Sequence, residues 1–305
     1  MIQVPLVSVV IFTYNHSRFI RETLEGAINQ TYSNIEIIVA DDCSTDGNID
    51  IIHEYVKRYP ELIKPVIGSK NEGITKNANR GMAACKGEYI AMVGGDDVIF
   101  PTKIEKQMTW LLHDSKRAIC GHALNICDEK TKVTGKYGHL LPKSGRGRSK
   151  WFKFGPLFGA TSIIIKRQYL PSPVYDERVP IVSDWKLYID VLNDELEYGY
   201  IPEVLGLYRK HSNNVTKNVL RAIVDLENCI SICELQYSKY IKEIRKGKSY
   251  LVDYGYANYY SSKGDFYLAA RCYLIALKND ILNWKALIKL IFLLPSLLKK
   301  TFSRS

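Results

Sequence analysis

Two adjacent carboxylates, Asp96 and Asp97, follow the apolar run Tyr89 to Val93 in the stretch MVGGDDVIFP. An acid pair at the C-terminal end of a buried strand stands where open α/β sheets bind ligands, and hard oxygen donors there suit Mg²⁺ or Mn²⁺. A turn with capping aspartates is the plainer alternative. Asp41 and Asp42 close a second apolar run, IEIIVA, and Asp184 opens a helix-patterned segment in PIVSDWKL. Ser183 or Asp184 could simply cap that helix. His211, in RKHSNNVT, is either a ligand or an exposed loop histidine. The segment from Asp42 to Gly47 begins like a calcium loop, but its twelfth position falls on His53 where a bidentate glutamate is needed.

The elements that must position these groups are read from periodicity. Leu6 to Phe12 and Ile35 to Ala40 are apolar but for Ser8 and Glu36, as expected of parallel strands covered on both faces. Helical patterns follow each, over Arg18 to Gln30 and Ile49 to Tyr59. Lys64 to Ile67 is a short strand, Asn71 to Lys86 a glycine turn into a helix, and Pro101 to His113 a helix with proline in its first turn. This alternation predicts a mainly parallel sheet with helices on both faces. Ala118 to Cys127, Ile163 to Lys166 and Tyr200 to Arg209 read as further strands. Asp128 to Lys150 is polar and glycine-rich, carries Lys143, Arg146, Arg148 and Lys150, and reads as a disordered loop or a lid.

Beyond Lys217 the pattern becomes helical only, which divides the chain into regions 1–216 and 217–305. Tyr260, Gly264, Ala269, Tyr273 and Ala276 match much of a tetratricopeptide unit, expected as one helical hairpin. The end of the sequence, WKALIKLIFLLPSLLKKTFSRS, is interrupted by Lys289 and Pro295 and is too short to span a bilayer, which takes about 20 apolar residues. Flanking lysines with Trp284 and Phe302 suit an interfacial helix.

The formal net charge is +10, but from Ser238 onward 13 Lys or Arg face 4 Asp or Glu. The first three quarters are therefore almost neutral, and no nucleic-acid groove is expected there. Seven cysteines without a CxxC pair read as reduced thiols of a cytosolic protein, and no signal peptide is recognised.

Taken jointly, VSVVIFTYN, IIVADDCSTDG, GEYIAMVGGDDVIFP, SDW and YRKHSNNVT resemble the family 2 glycosyltransferases of the glycosyltransferase-A fold, over roughly residues 5–216. The resemblance implies an inverting transfer from a nucleotide sugar. Thr13, Tyr14 and Asn15 would line the nucleoside, and Asp42 would accept from a pyrimidine imide, favouring a UDP-sugar over a dTDP-sugar. Asp97 would bind Mn²⁺ or Mg²⁺ directly, with Asp96 on the ribose or orienting the ion. His211 would hold the metal or the diphosphate, and Lys76 or Arg80 a phosphate. The family's usual first acid of this metal element is Gly94 here, which predicts weaker metal binding. Asp184 would be the catalytic base, and Trp185 would stack on acceptor sugar or belong to the core.

The implied partners are a nucleotide-sugar donor and a lipid-linked or oligosaccharide acceptor in O-antigen or capsule synthesis. The implied location is the cytoplasmic face of the inner membrane, peripherally bound. A nucleotidyltransferase lacks its glycine-rich loop in TYNHSRF, and a non-catalytic scaffold with a decayed domain is opposed by intact Asp42, Asp97 and Asp184.

Overall fold

The computed structural model describes residues 4–137, 144–212, 214 and 218–302. Two compact units are present, one of residues 1–148 and 156–214, the other of residues 149–155 and 215–305.

In the first unit, strands β1 (Val7–Thr13), β2 (Ile35–Asp41), β3 (Ile63–Ile67) and β4 (Tyr89–Gly94) run parallel in the order β3-β2-β1-β4. Their alternating side chains sort helices to both faces. Val7, Val9 and Ile11 join the core of α1 (Ile20–Ile28), α2 (Asn48–Arg58) and α4 (Lys103–Leu112). On the opposite face Val10 and Phe12 meet α3 (Ile74–Ala84), where Gly81 lets the helix settle onto the sheet. A Cβ at Gly81 would lie 2.7 Å from Ala40 Cβ and 3.2 Å from Val10 Cγ2. Gly81→Val is expected to cost about 2–3 kcal/mol through overpacking, read as a lower denaturation midpoint; an unchanged midpoint would contradict this close approach.

The sheet continues from β4 through the antiparallel strand β9 (Ile164–Lys166) to β6 (Arg117–Cys127), β10 (Glu197–Arg209) and β5 (Val98–Ile99). Strands β6 and β10 are parallel, whereas β5 is antiparallel to β10, so the parallel first half passes into a mixed second half.

The stretch expected as a loop or lid contains structure. Strand β7 (Val133–Tyr137) pairs antiparallel with β6, and β8 (Gly145–Arg146) with β10. Both are edge strands whose charges and glycines resemble loop composition, since edges carry such residues to block further pairing. Arg146 forms a 3.0 Å ion pair with Glu197. Lys143 lies outside the described residues, and Arg148 and Lys150 stand at and within α5 (Ser149–Phe154).

The second unit is helical. It comprises α5, α7 (Val219–Gln236), α8 (Ile241–Gly247), a π-helical turn over Lys248–Asp253, α9 (Tyr254–Ser262), α10 (Phe266–Asn279) and α11 (Trp284–Phe302). Helices α9 and α10 pack against each other. Gly264 takes φ +75° in the turn between them, and Asp265 caps α10 by accepting from the Leu268 N–H at 3.1 Å. Ala286 and Leu293 of α11 close over Tyr273 and Ala276.

Candidate active site

The parallel register sets three loops at one edge of the sheet. Thr13 pairs with Asp41, and Phe12 with Gly94, so the segments after β1, β2 and β4 leave side by side. The first two are tied together by polar contacts. Asn15, at φ 53°, donates its N–H to Ser44 Oγ at 2.8 Å, and its Oδ1 accepts from the Thr45 N–H at 2.8 Å. Asp41 is fully buried and accepts from the Ser44 N–H and hydroxyl and from Asn48 Nδ2 at 2.6–2.7 Å. The resulting rim presents Tyr14, 41% exposed, above a buried Thr13.

Asp42 is tied to the turn before α3. It is 2% exposed, and its oxygens accept from the Glu72 N–H at 3.1 Å and the Gly73 N–H at 2.7 Å. Arg80 adds an ion pair at 3.3 Å and also donates to the Asp41 carbonyl. The carboxylate thus fixes the turn that starts α3. Lys76 is exposed one turn away on α3, whereas Arg80 is half-buried among acids.

Within the acid pair, the two carboxylates have different surroundings. Asp97 is held on both oxygens, by the Thr161 hydroxyl and by the Arg209 N–H at 2.8 Å. Burial, reinforced by the charge of Asp96, pushes its carboxyl well above the usual range. Both of its oxygens are thus engaged by protein donors.

Asp96 instead faces His211, whose Nε2 lies 2.8 Å from its Oδ2. Burial would raise Asp96, but the His211 hydrogen bond and the proximity of the two imidazoles outweigh it and hold the carboxyl below its ordinary value. His16 completes the group. One ligand atom from each of His16, Asp96 and His211 lies within 4.8 Å of the others, and burial lowers the His16 pKa, favouring the neutral imidazole that metals require.

This donor set fits a divalent cation of the Mn²⁺ type. Two imidazoles with one carboxylate suit a first-row transition ion better than Mg²⁺, which prefers oxygen alone. His16 escaped the sequence reading because a lone histidine in a polar turn carries no signal. Only the fold brings the β1 loop to the segment after β10.

The second loop system presents Asp184 in the first turn of α6 (Ser183–Val191). Thr75 of α3 anchors this helix start through contacts to the Pro180 carbonyl at 3.2 Å and Ser183 Oγ at 3.4 Å. Asp184 accepts from the Trp185 N–H at 2.7 Å, yet burial dominates and pushes its carboxyl up to about 6. Its charge reaches Tyr137, Tyr175 and Tyr188, and Tyr137 also feels Asp97, so one phenol lies within electrostatic reach of both acid groups. Trp185 is 1% exposed and belongs to the core.

Residues 8–170 match the model of glycosyl transferase family 2. The chain belongs to that family. An uncharacterized protein of Mycobacterium bovis is 31% identical over 213 residues, 68% of this chain and 60% of that protein. The chain therefore spans less than two thirds of that relative's length. An uncharacterized glycosyltransferase of Haemophilus influenzae is 29% identical over 221 residues, 70% of this chain and 68% of that protein.

Among solved structures, S. aureus TarS 1-349 in complex with UDP-GlcNAc superposes with a TM-score of 0.64 at 14% identity, over 90% of this chain and 83% of that one. The mannosyltransferase PcManGT from Pyrobaculum calidifontis, in complex with GDP-Man and Mn²⁺, gives 0.63 at 16% identity, over 100% and 89%. Such identities speak for the fold, which is of the glycosyltransferase-A type.

Proposed function

We propose that this chain is an inverting glycosyltransferase using a UDP-sugar donor, with Asp184 as general base and Asp96 and His211 as cation ligands. The observation that carries the reading is Asp184: a carboxyl pushed up to about 6 at a helix mouth, sharing Tyr137 as a neighbour with the acid pair. A base with a pKa near the working pH takes a proton efficiently while still being ionised at neutrality.

In the transfer, the acceptor hydroxyl oxygen bonds to the anomeric carbon as the bond from that carbon to the diphosphate breaks. Asp184 takes the hydroxyl proton, and the electron pair leaves with the nucleoside diphosphate. A divalent cation, when bound, supplies Lewis-acid neutralisation of that diphosphate. Thr13, Tyr14 and Asn15 line the nucleoside, Tyr14 offering an exposed ring face. Lys76 and Arg80 are the nearest sequence candidates for phosphate contact, and Lys76 is the more accessible.

The family membership and the UDP-GlcNAc and GDP-Man complexes of the structural neighbours support a nucleotide-sugar donor. A thermal-shift screen of UDP-, dTDP- and GDP-sugars with and without Mn²⁺ tests it. One uridine donor should stabilise the protein with Mn²⁺ present; indifference to every uridine donor would overturn the assignment.

The acceptor in this reading is a lipid-linked glycan of surface polysaccharide, such as O-antigen or capsule, at the cytoplasmic face of the inner membrane. Support comes from α11, which carries two apolar faces. Ala286, Leu290 and Leu293 turn toward α10, while Trp284, Leu287, Ile288, Ile291 and Phe292 are 42–75% exposed. Lys285 and Lys289 lie along the edge between them, suited to anionic headgroups. No helix among the described residues is long and apolar enough to cross a membrane.

Removing α11 would also uncover Tyr273 and Ala276, so point changes on the outer face are the cleaner test. Ile288→Glu with Phe292→Glu should abolish sedimentation with anionic vesicles and leave the melting temperature within about 2 °C, as expected of surface substitutions. Unchanged vesicle binding would sink the membrane assignment.

A further inference from the structure

The acid pair is preceded by two glycines, and each meets the site. A Cβ at Gly94 would lie 2.8 Å from Asp96 Oδ1 and 3.1 Å from Asp97 Oδ2. A side chain there would crowd the carboxylate that faces His211, so position 94 supplies no ligand in this arrangement. A Cβ at Gly95 would lie 2.5 Å from Thr13 Cβ and 2.9 Å from His16 Nδ1. The space in front of Gly95 is thus taken by Thr13 and the imidazole of His16, and only glycine leaves room for that ring.

His16 is held where a ligand would need to be held. Its Nδ1 lies 3.4 Å from Thr13 Oγ1, which also accepts from Asn48 Nδ2 at 3.1 Å. Its ring meets the His211 ring edge-on, with centroids 5.8 Å apart. A proton on Nδ1, donated to Thr13, leaves the Nε2 lone pair for a cation, the usual way an outer hydrogen bond selects the tautomer of a metal-binding histidine. On the other side the His211 backbone N–H donates to Asn214 Oδ1 at 2.6 Å, and the His211 ring rests on Phe19 at 5.0 Å between centroids.

We propose that His16 is the third protein ligand of the divalent cation, replacing from the β1 loop the carboxylate that Gly94 lacks, and that this substitution tunes the site toward Mn²⁺ over Mg²⁺. The inference rests on the assignment of Asp96 and His211 as cation ligands and adds to it the residue that sets ion preference. Exchanging a carboxylate for an imidazole removes one hard oxygen and one negative charge, which weakens a hard ion more than a transition ion.

Electron paramagnetic resonance of Mn²⁺ titrated into the full chain with UDP tests this directly. The wild type should bind Mn²⁺ with nitrogen modulation from two imidazoles. His16→Ala should weaken binding by about tenfold or more, the scale seen even for outer-shell changes, and reduce the modulation to one imidazole. His16→Asp should retain binding and shift the Mn²⁺/Mg²⁺ preference toward Mg²⁺ by about tenfold, the size of a 1.4 kcal/mol change; being polar and small, it also decides the matter if the alanine variant folds poorly. Wild-type binding with affinity and modulation unchanged in both variants would overturn the role of His16 and leave the Asp96–His211 site standing. Absence of Mn²⁺ binding by the wild type, with or without UDP, would overturn both.

Discussion

Asp184→Asn is expected to lower transfer by about 10²–10⁴-fold, the range for loss of a general base, while leaving donor binding intact and making the protein more stable at neutral pH. The two effects share a cause. Burial pushes the Asp184 carboxyl from an ordinary 3.8 to about 6, so at pH 7 the folded protein holds an ion that its surroundings disfavour. Because the folded pKa lies above the unfolded one, the native state gains stability from Asp184 below pH 4, where both forms are protonated. That gain is lost as pH rises from about 4 through 6.

A tenfold change in proton affinity corresponds to about 1.4 kcal/mol, so about 3 kcal/mol is the ceiling, and partial exposure brings the expected gain of the neutral variant to about 1–2 kcal/mol. Melting temperatures of both proteins from pH 4 to 8 measure it: the curves should converge at the acid end and separate above pH 6. Over the same range, wild-type kcat/KM should rise through an apparent pKa near 6. A variant that keeps its activity, or a separation that grows toward acid, would remove Asp184 from the role of base.

What the sequence made legible was the framework of strands and the acids at their ends. The apolar runs before Thr13, Asp41 and Gly94 are unambiguous because parallel strands are covered on both faces, and the register then aligns their ends without further information. Hidden from the sequence was which oxygen faces which neighbour. Asp96 and Asp97 are adjacent and chemically identical; their different surroundings follow from Thr161 and Arg209, which are 64 and 112 residues away from Asp97. The same holds for Asp42, whose partners Glu72 and Gly73 arrive from the turn before α3, and for His16, which meets His211 only through the folded sheet. Strand β7 was missed for a different reason: an edge strand of mixed polarity has no buried face to produce a period.

Arg209 ties these distant contributions together, and its removal is the second large effect expected. The side chain is fully buried. Its Nε donates to the Asp96 carbonyl at 2.8 Å, Nη1 to the Asp128 carbonyl at 3.2 Å and Thr131 Oγ1 at 2.9 Å, and Nη2 to Glu22 Oε2 at 2.8 Å. The guanidinium also lies 4.9 Å from the centroid of Phe19, the ring on which His211 rests. One planar fork therefore joins the acid loop, the β6–β7 turn and α1.

Arg209→Met keeps the apolar stem and the backbone N–H that binds Asp97, but strands the buried Asp96 carbonyl, leaves the Asp128 carbonyl only the Thr131 N–H, and frees Glu22. The expected cost is about 3 kcal/mol, or a fall in melting temperature of roughly 6–12 °C at about 2–4 °C per kcal/mol. Arg209→Lys should recover little, because a single ammonium cannot reach three elements at once. Because the Asp96 loop loses its anchor, Mn²⁺ affinity should fall even at temperatures where the variant remains folded, whereas the Asp184-dependent pH profile should persist. A loss below about 1 kcal/mol with Mn²⁺ binding unchanged would mean that the acid loop is positioned by Asp97 and Thr161 alone.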